Sequence, residues 1–135
     1  MKKTGSLAMV IFALYWAGSL TSCQQENDPE HFLIKIDSVY IPETIIPNEA
    51  FEIEFFGYIG HNGCYSFNEF VLNNQNKNIT VEVWGKLDVK SGICSDEMVY
   101  LRGEKLNCTL EEAGNYILKI KQPNGTYFER AILVK

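Results

Sequence analysis

No run of basic residues longer than Lys2-Lys3 occurs in this chain. Its 12 Lys and Arg are scattered among 17 Asp and Glu, for a net charge of −5 over 135 residues. A nucleic-acid partner needs a basic footprint, because phosphate contacts supply most of the non-specific affinity. That class is excluded, and attraction to anionic headgroups is disfavoured for the same reason. A spanning apolar segment is also missing. The mostly apolar run Leu7–Ala17 has 11 residues, whereas a membrane-crossing helix needs roughly 20. No stretch carries a 3.6-residue apolar period with caps, so helices are not expected beyond one short turn at Glu111-Glu112-Ala113. There is no phosphate loop and no mechanistically spaced carboxylate pair. Glu52 and Glu54 share one face of a strand, but they alternate with Phe51, Ile53 and Phe55 and read as its outer face. The chain is read as non-enzymatic, with no cofactor and no metal.

What is present begins with an address. Lys2 and Lys3 precede Leu7–Ala17, the order of n-region and h-region in a secretory signal peptide. Leu20-Thr21-Ser22-Cys23 follows, and in that place it resembles the lipobox of bacterial lipoproteins. The resemblance implies removal of residues 1–22, a diacylglycerol on the Cys23 sulfur and an acyl chain on its amino group. Several chains anchor a protein where one alone holds only reversibly. Gln24 is not the aspartate of an inner-membrane retention signal, which favours the outer membrane. Glu26, Asp28 and Glu30 resemble the surface-export signal of some gut-type Gram-negative lipoproteins; the periplasmic leaflet stays open beside the cell surface. Residues 23–32 are read as the lipidated cysteine and a flexible, solvated linker.

Residues 33–135 have the length of one domain. Without the leader, and so without Lys2 and Lys3, ten basic residues face 17 acidic ones, a net charge near −7. Apolar and polar residues alternate in Phe51–Phe55, Ile79–Trp84 and Tyr116–Lys121, the period of half-buried strands. Leu33–Ile36 and Phe128–Val134 add two more. Turn signals lie between them at Pro42, Pro47-Asn48, Asn62-Gly63, Ser91-Gly92 and Pro123-Asn124-Gly125, and the last predicts a hairpin. About seven short strands predict an all-β fold, a single β-sandwich. Leu106–Leu118, LNCTLEEAGNYIL, resembles the turn between strands E and F of immunoglobulin-like domains, with Glu112, Gly114 and Tyr116 at alternate positions. The resemblance implies an immunoglobulin-like sandwich and a tyrosine corner at Tyr116, its hydroxyl bonded to the upstream backbone. It departs at Leu118, where antibody domains carry a cysteine.

With Cys23 claimed by lipid, Cys64, Cys94 and Cys108 remain, in an oxidising compartment. Cys64 and Cys94 each follow a glycine-bearing turn, and Cys108 shares a face with Leu106 and Leu110. A Cys64–Cys94 disulfide is expected, with Cys108 reduced and buried as a small hydrophobe. His61 lies three residues before Cys64, which raises zinc and activated-thiol readings. Zinc needs a second ligand pair, for which only Cys94 and Asp96 offer themselves, and a nucleophile needs a reduced cysteine.

Aromatics gather near this turn. Tyr58, His61 and Tyr65 are candidate ligand contacts, as is Trp84, whose strand already has an aliphatic face in Ile79, Val81 and Val83. Such side chains stack on sugars or grip proteins, and they also fill cores. Asp37-Ser38-Val39 resembles an O-glycosylation motif of some gut-type Gram-negatives. The function expected is a membrane-anchored envelope lipoprotein acting as a binding or accessory module for an unidentified protein or glycan. The alternative is an inhibitor of extracellular proteases that presents a loop such as 85–97, braced by the disulfide.

Overall fold

The computed structural model describes residues 28–135; the expected leader, residues 1–22, and the expected lipidation site Cys23 lie outside the described residues. Alternation translates directly into sheet. In β3 (Ala50–Gly60) the side chains of Phe51, Ile53 and Phe55 are buried while Ala50 and Glu52 face water. β5 (Asn78–Leu87) buries Ile79, Val81 and Val83, and β7 (Gly114–Lys121) buries Tyr116, Leu118 and Ile120. The remaining strands are β1 (Glu30–Leu33), β2 (Lys35–Tyr40), β4 (Tyr65–Gln75), β6 (Val99–Thr109) and β8 (Tyr127–Val134). No helix occurs among the described residues, so none there is long and apolar enough to cross a membrane.

The eight strands form two sheets whose inner faces share one core. β2, β3 and β6 make a three-stranded antiparallel sheet. In the five-stranded sheet β4 lines one edge of β5 along its length. The other edge is shared: β7 pairs with Asn78–Val81 and β1 with Trp84–Leu87, and β8 lies beyond β7. The β5–β7 pair is parallel. This departs from the two antiparallel sheets of an immunoglobulin domain.

The first strand starts earlier than the sequence pattern suggests. Glu30, His31 and Phe32, read as linker, pair with Leu87, Lys86 and Gly85. After Leu33 the chain changes sheets. The Ile34 amide still donates to Val83 O (2.8 Å), and two residues later the Ile36 amide donates to Oε1 of the buried Gln122 (3.1 Å). A strand that leaves its sheet exposes amides that need partners, and Gln122 supplies one from β7's end.

Tight turns close the hairpins. Gln122–Thr126 joins β7 to β8 with only Gly125 at positive φ (84°); the Asn124 side chain accepts from the Thr126 amide (3.0 Å). Asn76 and Lys77 join β4 to β5 with φ of 51° and 61°, the left-handed pair that suits a two-residue hairpin. Lys77 repays this strain through its ammonium, which donates to Ala113 O (3.2 Å) and lies 5.7 Å from the Tyr116 ring centre.

The backbone contact expected of the Tyr116 hydroxyl is present. The Tyr116 hydroxyl donates to Glu112 O at 3.0 Å while its ring is buried. Tyr116→Phe is expected to lose about 1 kcal/mol, the net worth of a neutral hydrogen bond. Urea unfolding checks it, and an unchanged midpoint would show that water replaces the contact.

Candidate functional site

The disulfide forms between Cys64 and Cys94, with Cα atoms 5.1 Å apart, and Cys108 is free and buried. Burial pushes the Cys108 thiol up to about 11. Since Cys64 is bonded to Cys94, it offers neither a thiolate to zinc nor a nucleophile to His61. No group of three or more potential metal ligands occurs among the described residues.

The disulfide clamps a long excursion between β5 and β6. At its start the Asp88 amide donates to Cys64 O (3.0 Å); near its end the Gly63 amide donates to Ser95 O (2.8 Å). Gly63 permits this approach, because a Cβ there would collide with the Ser95 side chain. Within the loop the Lys90 amide caps onto Asp88 Oδ1 (3.1 Å) and the Gly92 amide onto Val89 O (2.9 Å). The loop is fixed at several points, yet its apolar side chains face water: Ile93 is 83 % exposed, Met98 59 % and Val89 51 %.

Around this loop lie three of the sequence candidates. Tyr58 is 41 % exposed on the outer face of β3, opposite Tyr100 on β6, the rings 5.5 Å apart and edge to face. His61 is exposed and tilts over Tyr65 at 5.1 Å. Tyr65 is half-buried, packed against Phe32 (5.7 Å) and over Gly60, where a Cβ would strike its ring. Tyr65 and Phe67 both pack against the core, and Phe67 also meets Phe70 at 4.8 Å. Ser38, of the Asp37-Ser38-Val39 motif, is exposed at a register shift in β2.

Trp84 is set apart from that cluster, on the outer face of the five-stranded sheet. Its indole N–H donates to Glu82 Oε2 (3.0 Å), and Glu82 Oε1 accepts from Lys121 (2.8 Å). The Lys121 hydrogen bond holds the Glu82 carboxyl below its ordinary 4.5; partial burial opposes this and the Trp84 bond adds to it. The pair stabilises the fold at neutral pH, and that contribution is lost as pH falls through the lowered Glu82 value. Trp84 is the one tryptophan left once a leader containing Trp16 is removed. Its emission is therefore expected to change with a midpoint below 4.5, and Lys121→Met to move that midpoint upward. A midpoint that ignores Lys121 would contradict the assignment.

Sequence reasoning missed Tyr100, which completes the exposed pair with Tyr58 at 44 % exposure. Tyr40 on β2 and Phe56 on β3 belong to the same outer face, since Tyr40 pairs with Glu54 and Phe56 with Arg102. The missing signal was strand β6 itself, whose alternation breaks at Gly103. Elsewhere, a cavity of about 340 Å³ opens between the start of β2 and the β7–β8 hairpin, lined by Ile36, Pro123, Tyr127 and Phe128 among others. No family model, curated protein or solved structure matches this chain.

Proposed function

We propose that the protein is a non-enzymatic binding or accessory module of the bacterial cell envelope, held to the outer membrane through acylated Cys23. The lipobox resemblance and the acidic residues that follow it support the anchor and favour the surface-facing leaflet. The immunoglobulin-like reading is supported by the Tyr116 hydroxyl contact at 3.0 Å and opposed by the parallel β5–β7 pair. The binding role is carried by one observation, the exposed Tyr58–Tyr100 pair on the three-stranded sheet. Tyrosine offers a rigid ring and a hydroxyl at small entropic cost, which suits a protein or glycan partner. The test is capture from envelope extract on the mature chain, wild type against Tyr58→Ser/Tyr100→Ser. A partner lost in the double variant supports the assignment; the same captured set on both removes it.

A second reading, protease inhibition, draws support from Ile93, presented to solvent one residue before the disulfide in a loop fixed at both ends. A panel of extracellular proteases decides it: no inhibition by wild type, or inhibition untouched by Ile93→Asp, removes it.

A further inference from the structure

We propose that the loop carrying Val89, Ile93 and Met98 is a second membrane contact, laid against the same bilayer that holds the Cys23 anchor. The inference rests on the lipidation reading above and adds an orientation to it.

The first support is where the chain enters the fold. Glu30 pairs with Leu87, and the amide of the next residue, Asp88, donates a hydrogen bond to Cys64 O. The segment from Cys23 therefore arrives beside the disulfide loop. Ile46 and the Asn76–Lys77 hairpin belong to the opposite end, where Ala50 pairs with Thr109 and the Lys77 ammonium reaches Ala113 O.

The second support is length. Cys23 and Glu30 are seven residues apart, which spans at most about 25 Å even fully extended. β3, β4 and β6 have 11 residues each and run the length of the sandwich, about 35 Å at the rise of a strand. The tether is shorter than the body. An upright domain with its far end on the bilayer would hold Glu30 too high for Cys23 to reach the headgroups. Upright, only the disulfide end can face the membrane.

The third support is chemistry. Ile93 is the most exposed large apolar side chain among the described residues, and Met98 is second. Both sit on the loop that follows Leu87, the residue paired with Glu30. Lys86 and Lys90 are matched by Asp88, Asp96 and Glu97, so attraction to anionic lipid does not drive the contact. Its driving force is burial of Ile93, Met98 and Val89 at the headgroup boundary, which zwitterionic lipid also provides. Tyr58 and Tyr100 then stand just above the headgroups, so a partner on that face is met at the membrane surface. The loop would be closed to proteases.

The test uses the mature acylated protein in phosphatidylcholine vesicles. An environment-sensitive fluorophore is placed by Met98→Cys, or by Ile46→Cys as the far-end control. The buried Cys108 stays unlabelled at neutral pH, its thiol pushed up to about 11. Nitroxide lipids are expected to quench the label at 98 about threefold or more over the label at 46, unchanged by high salt, as apolar insertion requires. Val89→Asp/Ile93→Asp is expected to abolish that difference while flotation with vesicles persists. Equal quenching at both sites in a floating protein, or a difference that survives the double variant, overturns the contact alone. A protein that fails to float overturns the anchor and the contact with it.

Discussion

Phe55→Ala is expected to cost about 3–5 kcal/mol, the range for truncating a fully buried phenylalanine. Phe55 is 0 % exposed at the middle of β3 and meets Phe70 of the opposite sheet at 4.9 Å. It thus packs one layer against the other within the shared core. The cost has two parts: lost transfer free energy, and a cavity that two strand-bound backbones cannot collapse to fill. In a domain of this size that is a large share of a total near 5–15 kcal/mol. Thermal unfolding should show Tm falling by roughly 12 °C or more. The exposed Val71 on edge strand β4 gives the control, since Val71→Ala should shift stability by less than about 0.5 kcal/mol. A Phe55→Ala cost below about 1 kcal/mol would contradict the packing between the sheets.

The second large effect belongs to the disulfide. Cys64→Ala/Cys94→Ala removes a link across 30 residues, worth about 3–4 kcal/mol in the chain-entropy model. Replacing both partners avoids leaving a thiol to pair with Cys108. A local consequence accompanies the global one. Without the link, residues 88–98 keep only the backbone bonds at Asp88, Gly63 and Gly92 and a few side-chain caps. Amide exchange in that loop should rise more than in β3 or β7, whose ladders do not involve it. Denaturant titration measures the first effect and exchange mass spectrometry the second. Uniform loosening of the whole domain, with no excess in the loop, would show that the link acts on the unfolded chain alone.

The strands legible in the sequence are those with one buried face and unbroken register: Phe51–Phe55, Ile79–Val83 and Tyr116–Ile120. β6 was not legible because Gly103, at φ 91°, sits in a register shift. Leu101 faces the core on one side of it and Cys108 on the other, so the apolar spacing is odd and the period-2 signal cancels. The far half of β4, Asn73-Asn74-Gln75, faces water at a sheet edge and carries no apolar period. Lys77 in a left-handed turn is a residue without a turn signature; its reason, Ala113 and the Tyr116 ring, lies 36 or more residues away. The disulfide pairing was readable because both cysteines follow glycine turns, whereas Cys108 shares a face with aliphatic neighbours.

The candidate site divides along the same line. Tyr58, His61 and Tyr65 are near one another in sequence, so their grouping was visible there. Tyr100 joins them only through the β3–β6 register, which sets it opposite Tyr58. Trp84 was placed correctly on an outer face by alternation, yet its Glu82 and Lys121 partners show a side chain already engaged.

By itself the sequence determined local matters: a β period, the turns, and which cysteines were fit to pair. These depend on residues within one or two turns of each other, where side-chain alternation and backbone preference act directly. Tertiary structure alone decided the parallel β5–β7 pair, the move of the first strand between sheets, and the meeting of Glu30 with the disulfide loop. Each joins residues dozens of positions apart through backbone hydrogen bonds, which every residue type except proline offers alike. The residue types therefore left no local mark of where those bonds would form.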